Sequence, residues 1–454
     1  MDITQFLPTP ENFVLYLVTF VIALSIIVAV HEYGHYIVGR WCGIKADVFS
    51  IGFGPVLWSR VDKRGTKWQF AALPFGGYVK FYGDANAASA KDGEAMQTVP
   101  EDQLRHTMHG APLWARTLTV AAGPVFNFIL SIIVFAGLFF YEGKASDPLT
   151  VADLNPLPQG TYAIEPGDAI LRIGGLDVPS LDDGAGFTAF RENLPEEPDL
   201  TYEVRRDGAE IEVNGPYPWP PLVSRVAPKS AAFDIGLEQG DVITAVDGAP
   251  IFAFDQLKRL VEGGEGKPLL LTVWRPGDEG GEAETLTFTL VPKRTDEPQA
   301  DGGFKTNWRI GVASGMFFEA TTEPIGAGEA LNGAVQATWR TITTSLSGLW
   351  HLVTGAIGSC NMSGPIGIAE VSGAAASQGI SDFILFIAGL STAVGLLNLF
   401  PIPVLDGGHL VFYAYEAVTG KPPSDKALNI LMALGLAILL SVMLFALSND
   451  VFCP

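Results

Sequence analysis

The sequence is poor in charged residues, which make up 17% of its 454 residues against 48% hydrophobic residues. Soluble domains carry about 25% charged residues, so this composition excludes an ordinary soluble enzyme. Basic residues are especially scarce: 28 Lys and Arg face 49 Asp and Glu, and the formal net charge is −21. Because nucleic-acid binding needs a basic surface, we expect no nucleic-acid partner. Three cysteines are too few to staple a chain of this length, which excludes a disulfide scaffold.

The apolar residues are concentrated in four segments, near residues 11–38, 113–140, 383–400 and 428–447. Each is close to the length of about 20 residues that a helix needs to cross a bilayer. No Lys or Arg precedes the first segment and no small-residue cleavage site follows it, which favours a membrane span over a cleaved signal peptide. The sequence therefore predicts an α-helical polytopic membrane protein with four transmembrane helices.

The distribution of charge predicts how the chain is oriented. Residues 39–116 carry 10 basic and 7 acidic side chains, whereas residues 143–330 carry 32 acidic and 15 basic ones. Short loops rich in Lys and Arg stay in the cytoplasm. We therefore expect the loop between the first two spans to be cytoplasmic, and residues 143–380 and the C-terminus to lie on the outer face, which in a bacterium is the periplasmic side of the inner membrane.

Two extramembrane regions have β-like patterns. The cytoplasmic loop contains short apolar runs punctuated by glycines, which predicts a membrane-associated β-region. Farther along, AIEPGDAILRIGGLDV (Ala163–Val178) and GLEQGDVITAVDGAPI (Gly236–Ile251) form a weak internal repeat, in which Gly-Asp precedes an apolar strand that ends in a glycine turn. The repeat predicts two tandem β-rich modules on the outer face.

These patterns divide the chain into eight predicted segments. They are a first transmembrane helix (1–40), a cytoplasmic loop with β-hairpins (41–112), a second transmembrane helix (113–141), two β-rich modules (148–219 and 220–293), a membrane-associated helical region interrupted by glycines (320–380), a third transmembrane helix that ends in an Asp-Gly motif (382–410) and a fourth transmembrane helix (427–448).

The strongest chemical signal is the motif His31-Glu32-Tyr33-Gly34-His35 at the end of the first span. Residues i and i+4 share one face of a helix, so both imidazoles can bind one zinc ion, with Glu32 beside them as general base. A bare H-E-x-x-H also arises by chance on surface helices. Inside a spanning helix, however, ionisable side chains are costly unless they are paired or ligated, which favours a metal site.

A third zinc ligand is needed, and the sequence near the motif does not supply it. The next glutamate after the motif is Glu94, and Val38 and Trp41 stand where a metzincin has glycine and histidine. The third predicted span ends in a run that contains two prolines and then Asp406. The prolines break the helix, and we expect the extended segment they leave to aim Asp406 inward, although a plain surface turn is the alternative.

Taken together, these motifs resemble the site-2 protease family of intramembrane zinc metalloproteases, and within it the regulator of sigma-E protease type. The resemblance covers nearly the whole chain. Besides H-E-Y-G-H, it rests on motifs that occur in a specific order: Gly52-Phe53-Gly54, Phe75-Gly76-Gly77-Tyr78-Val79-Lys80, Ala122-Gly123-Pro124-Val-Phe-Asn127, Ser363-Gly364-Pro365-Ile366-Gly367-Ile368-Ala369 and Pro401…Asp406-Gly407-Gly408.

The resemblance implies a zinc endopeptidase that cuts the transmembrane segment of single-span proteins. Zn²⁺ would be held by His31, His35 and Asp406, and Glu32 would act as general base. The two β-rich modules look like PDZ domains, which in such proteins admit substrates only after another protease has trimmed their outer domain. Expected partners are membrane lipid and transmembrane substrates such as anti-sigma factors or remnant signal peptides, in an envelope stress response.

Substrate contacts are expected at two places. Asn398 is an intramembrane amide eight residues before Asp406 and is a candidate for contacts with the substrate backbone or the oxyanion. An unwound substrate could also add as a strand to the glycine-rich β-region, unless that region is only a structural hairpin. The candidate residues there are Gly76, Gly77, Tyr78, Val79 and Lys80.

Several alternatives remain open. A catalytically silent membrane scaffold could use its PDZ-like modules to bind envelope proteins, although a scaffold has no need for buried ionisable residues. A metal transporter explains Glu32 and the outer modules less well.

Asn127 is expected to make an interhelical hydrogen bond. Cys360 and Cys453 both map to the outer side and could pair, but the sequence does not bring them together.

Overall fold

The computed structural model describes residues 10–84, 99–158, 162–181, 183–277, 281–299 and 303–453. The chain forms two units. The helical unit contains Met1–Leu138, Gly328–Gly355 and Ser359–Pro454. The β-rich unit contains Phe139–Ala327 and Ala356–Gly358.

The described residues contain ten α-helices and two short 3₁₀ turns, Glu101–His106 and Ser359–Asn361. In chain order the helices are α1 (Pro10–Trp41), α2 (Leu113–Glu142), α3 (Gly184–Asn193), α4 (Ala231–Asp234), α5 (Phe254–Gly263), α6 (Ala327–Val353), α7 (Pro365–Gln378), α8 (Ile380–Asn398), α9 (Asp406–Thr419) and α10 (Asp425–Phe452).

The strands are mostly short. In chain order they are β1 (Ala46–Val61), β2 (Lys67–Phe81), β3 (Lys144–Ala145), β4 (Val151–Leu154), β5 (Ala169–Ile173), β6 (Leu176–Asp177), β7 (Asp199–Arg206), β8 (Ala209–Pro216), β9 (Val223–Val226), β10 (Val242–Val246), β11 (Ala249–Pro250), β12 (Leu269–Arg275), β13 (Glu284–Leu290), β14 (Lys293–Pro298), β15 (Phe304–Arg309), β16 (Val312–Ser314), β17 (Phe318–Ala320) and β18 (Thr322–Glu323).

Four helices of the helical unit are long and apolar enough to cross a membrane: Phe13–Trp41 of α1, α2, α8 and α10. These are the four spans predicted from the sequence, which are confirmed as helices. Many of their large apolar side chains are exposed, as on α10, and lipid would cover such side chains in a bilayer. The chain is therefore a multi-pass membrane protein.

One helical prediction needs correction. The region 320–380 was expected to be helical and interrupted by glycines. It holds α6, which passes through its internal glycines without a break, and α7, with Gly355 and Gly358 in the gap between them. The prolines break the third predicted span, 382–410, as expected: α8 ends at Asn398 and a loop holds both prolines. Asp406, however, is the first residue of α9 rather than part of an extended segment.

Strands β1 and β2 form one folded sheet in the helical unit. Residues 46–51 of β1 lie between the two halves of β2, so that Phe49 pairs with both Trp68 and Val79. The second half of β1, residues 56–61, pairs with residues 67–71. Positive φ angles of 90° and 83° at Gly52 and Gly54 permit the bend in β1. The half of β2 that contains Val79 packs against α1.

The β-rich unit contains two four-stranded sheets with the same topology. Their orders are β6-β5-β7-β8 and β11-β10-β12-β13, and each has a helix, α3 or α5, before its third strand in the chain. Each sheet covers its own apolar core, one centred on Tyr202 and the other on Leu271. The segment after residue 303 adds a strand beside each repeat: β16 pairs with β9, and β17 pairs with β4.

The C-terminal end of α10 is fastened to the segment that precedes α7. Cys453 forms a disulfide with Cys360, which answers the question that the sequence left open. Asp450 accepts hydrogen bonds from the backbone N–H groups of Gly364, at 2.9 Å, and Ile366, at 3.1 Å. Because these N–H groups lie at the N-terminus of α7, the carboxylate also complements the helix dipole.

Candidate metal centre

Three polar side chains converge in the helical unit. His31 and His35 lie one turn apart on α1, and Asp406 begins α9. The Asp406 Oδ2 atom is 3.2 Å from His31 Nε2 and 3.4 Å from His35 Nε2, and the two Nε2 atoms are 3.2 Å apart. The sequence predicted this set from residues nearly 400 positions apart, and the structure brings all three together as a group that could hold a metal ion.

The donor atoms fit zinc. His35 Nδ1 lies 2.9 Å from the carbonyl oxygen of Thr119, and because a carbonyl only accepts, Nδ1 must carry the hydrogen and Nε2 a lone pair. Asp406 Oδ2 is buried without a hydrogen-bond donor among the described residues. Zinc bonds of about 2.0–2.1 Å put neighbouring ligand atoms roughly 3.3–3.4 Å apart on the edges of a tetrahedron. The observed spacings match that figure, and a cation would relieve the repulsion between the lone pairs.

Glycines let α1 and α2 approach closely at this point. A Cβ on Gly123 of α2 would collide with His35 Nε2 and would lie 2.8 Å from His31 Cε1. A Cβ on Gly34 of α1 would lie 2.6 Å from the carbonyl oxygen of Ala122. Small residues at such contacts let helix backbones pack tightly within a membrane. Gly123 therefore leaves the space that the two imidazoles occupy.

The loop between α8 and α9 aims Asp406 at the histidines. A Cβ on Gly407 would collide with the carbonyl oxygens of Leu399 and Phe400, and a Cβ on Gly408 would collide with the carbonyl oxygen of Ile402. The two glycines thus allow the start of α9 to turn back against the loop that precedes it. Asp406 owes its position to this tight turn, not to the extended segment expected from the sequence.

An ion pair fixes α9 farther along. Arg116 of α2 makes two hydrogen bonds to Glu416 of α9, at 2.6 and 3.1 Å. The Arg116 guanidinium also lies over the ring of Tyr413, 5.2 Å from its centroid. Bidentate pairing of this kind sets orientation as well as distance. It joins the helix that begins with Asp406 to the helix that carries Gly123.

Glu32 lies between the histidines and the sheet. Its carboxylate accepts from the backbone N–H of Val79 in β2. A Cβ on Gly77 would lie 3.0 Å from Glu32 Cγ, so the absence of a side chain there lets β2 reach α1. The 76–80 segment predicted from the sequence therefore lies beside Glu32. Among the described residues this half of β2 pairs with β1 along one edge, and the Val79 N–H that meets Glu32 is on the other.

Asn398 is the last residue of α8 and donates from Nδ2 to the carbonyl of Val394 at 3.1 Å. Its amide nitrogen is thus used within its own helix. Asn127 makes the interhelical hydrogen bond expected of it: its amide on α2 lies 3.1 Å from Nδ1 of His31 on α1. No sequence pattern indicated a role for Thr119, Gly123 or Arg116. Only the spacing of Gly123 and Asn127, four residues apart on one predicted helix face, could have indicated a shared contact.

Comparisons with known proteins agree with this geometry. A family model described as peptidase family M50 matches residues 19–442. A protein of Agrobacterium fabrum named "Putative zinc metalloprotease Atu1380" is 36% identical over 440 residues, which cover 96% of this chain and 95% of that protein. "Putative zinc metalloprotease R01501" of Rhizobium meliloti is 35% identical over 437 residues, 95% of each chain. "Regulator of sigma-E protease RseP" of Salmonella typhimurium is 32% identical over 469 residues, covering 96% of this chain and 98% of that protein.

Proposed function

The chain belongs to peptidase family M50, and from this premise we propose how its residues divide the work of cutting a peptide bond within the membrane. It is a zinc metalloendopeptidase of the site-2 protease type, similar along nearly its whole length to regulator of sigma-E proteases. Its ligands, its general base and its substrate contacts are the proposed parts. The convergence of His31, His35 and Asp406 beside Glu32 is the observation that carries the proposal.

We assign zinc binding to His31 and His35 of α1 and to Asp406 of α9. Bound zinc supplies a Lewis acid that polarises the scissile carbonyl and lowers the pKa of water. Glu32 takes the proton of the attacking water and later delivers it to the leaving amine. The Thr119 carbonyl holds the hydrogen of His35 on Nδ1 and so keeps Nε2 free to ligate.

The strand beside Glu32 is the proposed binding edge for substrate. A substrate helix satisfies its own backbone groups and must unwind before its carbonyls can react. An unwound segment could add to the edge of β2 at Gly76, Gly77, Tyr78, Val79 and Lys80. Because β2 reaches Glu32 through Gly77, a strand bound there would pass the general base. Asn398, whose Oδ1 is not used by the bond to Val394, is the proposed second contact.

The two repeats of the β-rich unit are proposed to act as PDZ-like filters on the periplasmic side of the inner membrane, with the active site toward the cytoplasm. They would admit single-span substrates whose outer domain another protease has removed, such as an anti-sigma factor in an envelope stress response or a remnant signal peptide. Support comes from the acidic charge of residues 143–330 against the basic charge of residues 39–116, and from the shared topology of the two repeats.

The test is cleavage of a single-span reporter helix by the purified protein in detergent, beside Glu32→Gln, with zinc content measured in both. We expect the variant to keep its zinc and to lose at least about 10²-fold in cleavage rate, because a general base contributes about 10²–10⁴-fold. A variant that cleaves like wild type would remove Glu32 from the mechanism.

A further outcome concerns the alternative function. If both proteins hold zinc and neither cleaves the reporter, even after its outer domain is trimmed, the proposed substrate class is contradicted. A wild-type protein that holds no zinc under metal-replete conditions would favour the catalytically silent scaffold.

A further inference from the structure

Asn127 faces His31 of the candidate metal centre, and one of its two side-chain polar atoms lacks a hydrogen-bond partner among the described residues. The side chain is fully buried on α2, and its Nδ2 lies 3.1 Å from His31 Nδ1. Its Oδ1 is buried with no hydrogen-bond partner among the described residues. A buried amide oxygen without a donor is costly, so an orientation that satisfies it is favoured.

The chemistry of His31 selects that orientation. If His31 Nε2 is to present a lone pair beside Asp406, the hydrogen of the neutral imidazole must sit on Nδ1. An N–H donor needs an acceptor, and the Nδ2 group of Asn127 has none to offer. The oxygen and nitrogen of a carboxamide occupy nearly the same positions. Turning the amide by half a rotation puts Oδ1 against the Nδ1–H of His31 and satisfies both groups.

Asn127 is also held rigidly enough to orient a ring. Its backbone carbonyl accepts hydrogen bonds from Ser131, at 3.0 Å, and from Ser391 of α8, at 2.9 Å. The backbone of α8 comes so near at Gly395 that a Cβ there would lie 3.1 Å from Asn127 Cβ. The backbone and Cβ of Asn127 are therefore fixed between α2 and α8, while its carboxamide faces α1.

We propose that Asn127 is a positioning residue for the metal centre, whose Oδ1 accepts the Nδ1 hydrogen of His31 and keeps Nε2 directed at the metal. It matches the role of the Thr119 carbonyl at His35, with a side chain in place of a backbone group. The proposal rests on the proposed function, since it takes His31 as a zinc ligand. Outer groups of this kind change metal affinity by about 10–100-fold.

The test measures zinc affinity of the full-length purified protein by competition with a chelator, together with the visible spectrum of the Co²⁺-substituted protein. Asn127→Leu removes the acceptor, and we expect about 10–100-fold weaker zinc binding and a changed Co²⁺ spectrum. Asn127→Asp keeps an acceptor and should restore affinity and spectrum close to wild type. Thr338→Ala is the control: it removes a buried hydroxyl on α6 that bonds to a carbonyl of its own helix.

The outcomes separate this proposal from the assignment of the ligands. Equal zinc affinity in Asn127→Leu and wild type, or equal losses in Asn127→Leu, Asn127→Asp and Thr338→Ala, would overturn the positioning role. Asp406→Asn is run alongside: if it keeps zinc, the ligand assignment itself has failed. Should the leucine variant not fold, Asn127→Ser carries the same expectation, because its hydroxyl is too short to reach Nδ1 of His31.

Discussion

The helical unit and the β-rich unit both bury carboxylates, but the two neutralise them differently. In the β-rich unit Asp168 and Asp241 are each fully buried and each clamped by an arginine. Arg206 meets both oxygens of Asp168 at 2.7 Å, and Arg275 meets those of Asp241 at 2.7 and 2.8 Å. In the helical unit the ion-pairing partners that the described residues offer to Asp406 are two imidazoles.

The contrast separates a structural carboxylate from the one proposed to bind zinc. A guanidinium is always charged and donates two hydrogen bonds in a geometry that fits a carboxylate. The chain therefore neutralises the buried carboxylates of Asp168 and Asp241 with its own arginines. A neutral imidazole with its lone pair toward the carboxylate offers neither charge nor hydrogen. The centre at Asp406 is therefore complete only with a cation from outside, which zinc provides in this family of peptidases.

Removal of the charge of Asp406, the proposed ligand, should have the largest effect. Asp406→Asn keeps the shape of the side chain but takes away its charge, and we expect loss of bound zinc and of detectable cleavage. Zinc content by atomic absorption and reporter cleavage measure this outcome. Asp168→Asn is the matched change in the β-rich unit and should leave zinc content unaltered. If both variants lost zinc alike, the contrast between the two carboxylates would be false.

The second-largest effect on zinc binding is expected from a change in the space around the two imidazoles. Gly123→Ala inserts a methyl group into the positions of the two rings, and we expect zinc affinity to fall by about 10–100-fold, as for other disturbances of ligand orientation. Chelator competition gives the affinity. Gly137→Ala lies on the same helix with open space around it and should bind zinc like wild type. Unchanged affinity in Gly123→Ala would show that the site adapts to the added methyl group.

Loss of one of the two arginines should lower the stability of the β-rich unit and leave zinc binding unchanged. Arg275→Ala leaves Asp241 buried without its partner, which we expect to cost about 3 kcal/mol, at the low end for such pairs because the guanidinium is 24% exposed. Arg206→Ala should act in the same direction on the first repeat. Thermal unfolding measures both. Arg172→Ala, which breaks an exposed pair with Asp177, is the control and should change stability little.

Acidification should produce the smallest effect, a loss of stability in the β-rich unit. Burial alone would raise the pKa of Asp168, but the Arg206 hydrogen bonds and the backbone N–H of Glu165 outweigh it and hold the pKa below 3.8. The carboxylate therefore stabilises the fold fully above the unfolded pKa, and that stability is lost as pH falls through the folded one. The unfolding midpoint should fall on acidification below about pH 4, and less steeply in Arg206→Ala. An equal slope in both proteins would contradict this assignment.

The sequence predicted those parts of the site that leave a pattern in it. The i, i+4 spacing placed His31 and His35 on one helix face, and the break that two prolines make in the third span singled out Asp406. The four spans followed from hydropathy. Thr119 could not be found, because it acts through its backbone carbonyl, which every residue possesses. Asn127 could not be assigned to His31, because the contact joins residues 96 positions apart through helix packing.

The loop before α9 shows a different limit. Two prolines indicated a break, and the structure has one, but the direction of the chain after it depends on the carbonyls that Gly407 and Gly408 pack against. Those carbonyls belong to the loop itself, so the turn forms only when the whole segment is folded. Glycines act differently by position in the region 320–380: those inside α6 leave the helix unbroken, because a helix tolerates single glycines, whereas Gly355 lies in the break before α7 at a positive φ of 74°.

The disulfide between Cys360 and Cys453 restricts how many times the chain can cross the membrane between them. Two bonded sulfurs share one side of a bilayer, so the 93 positions between them must cross it an even number of times. The candidate spans inside this covalent ring are α8 and α10, which gives two crossings and leaves none for α7 or α9 alone. Because disulfides persist outside the cytoplasm, the bond supports the proposed placement of the C-terminus on the outer face.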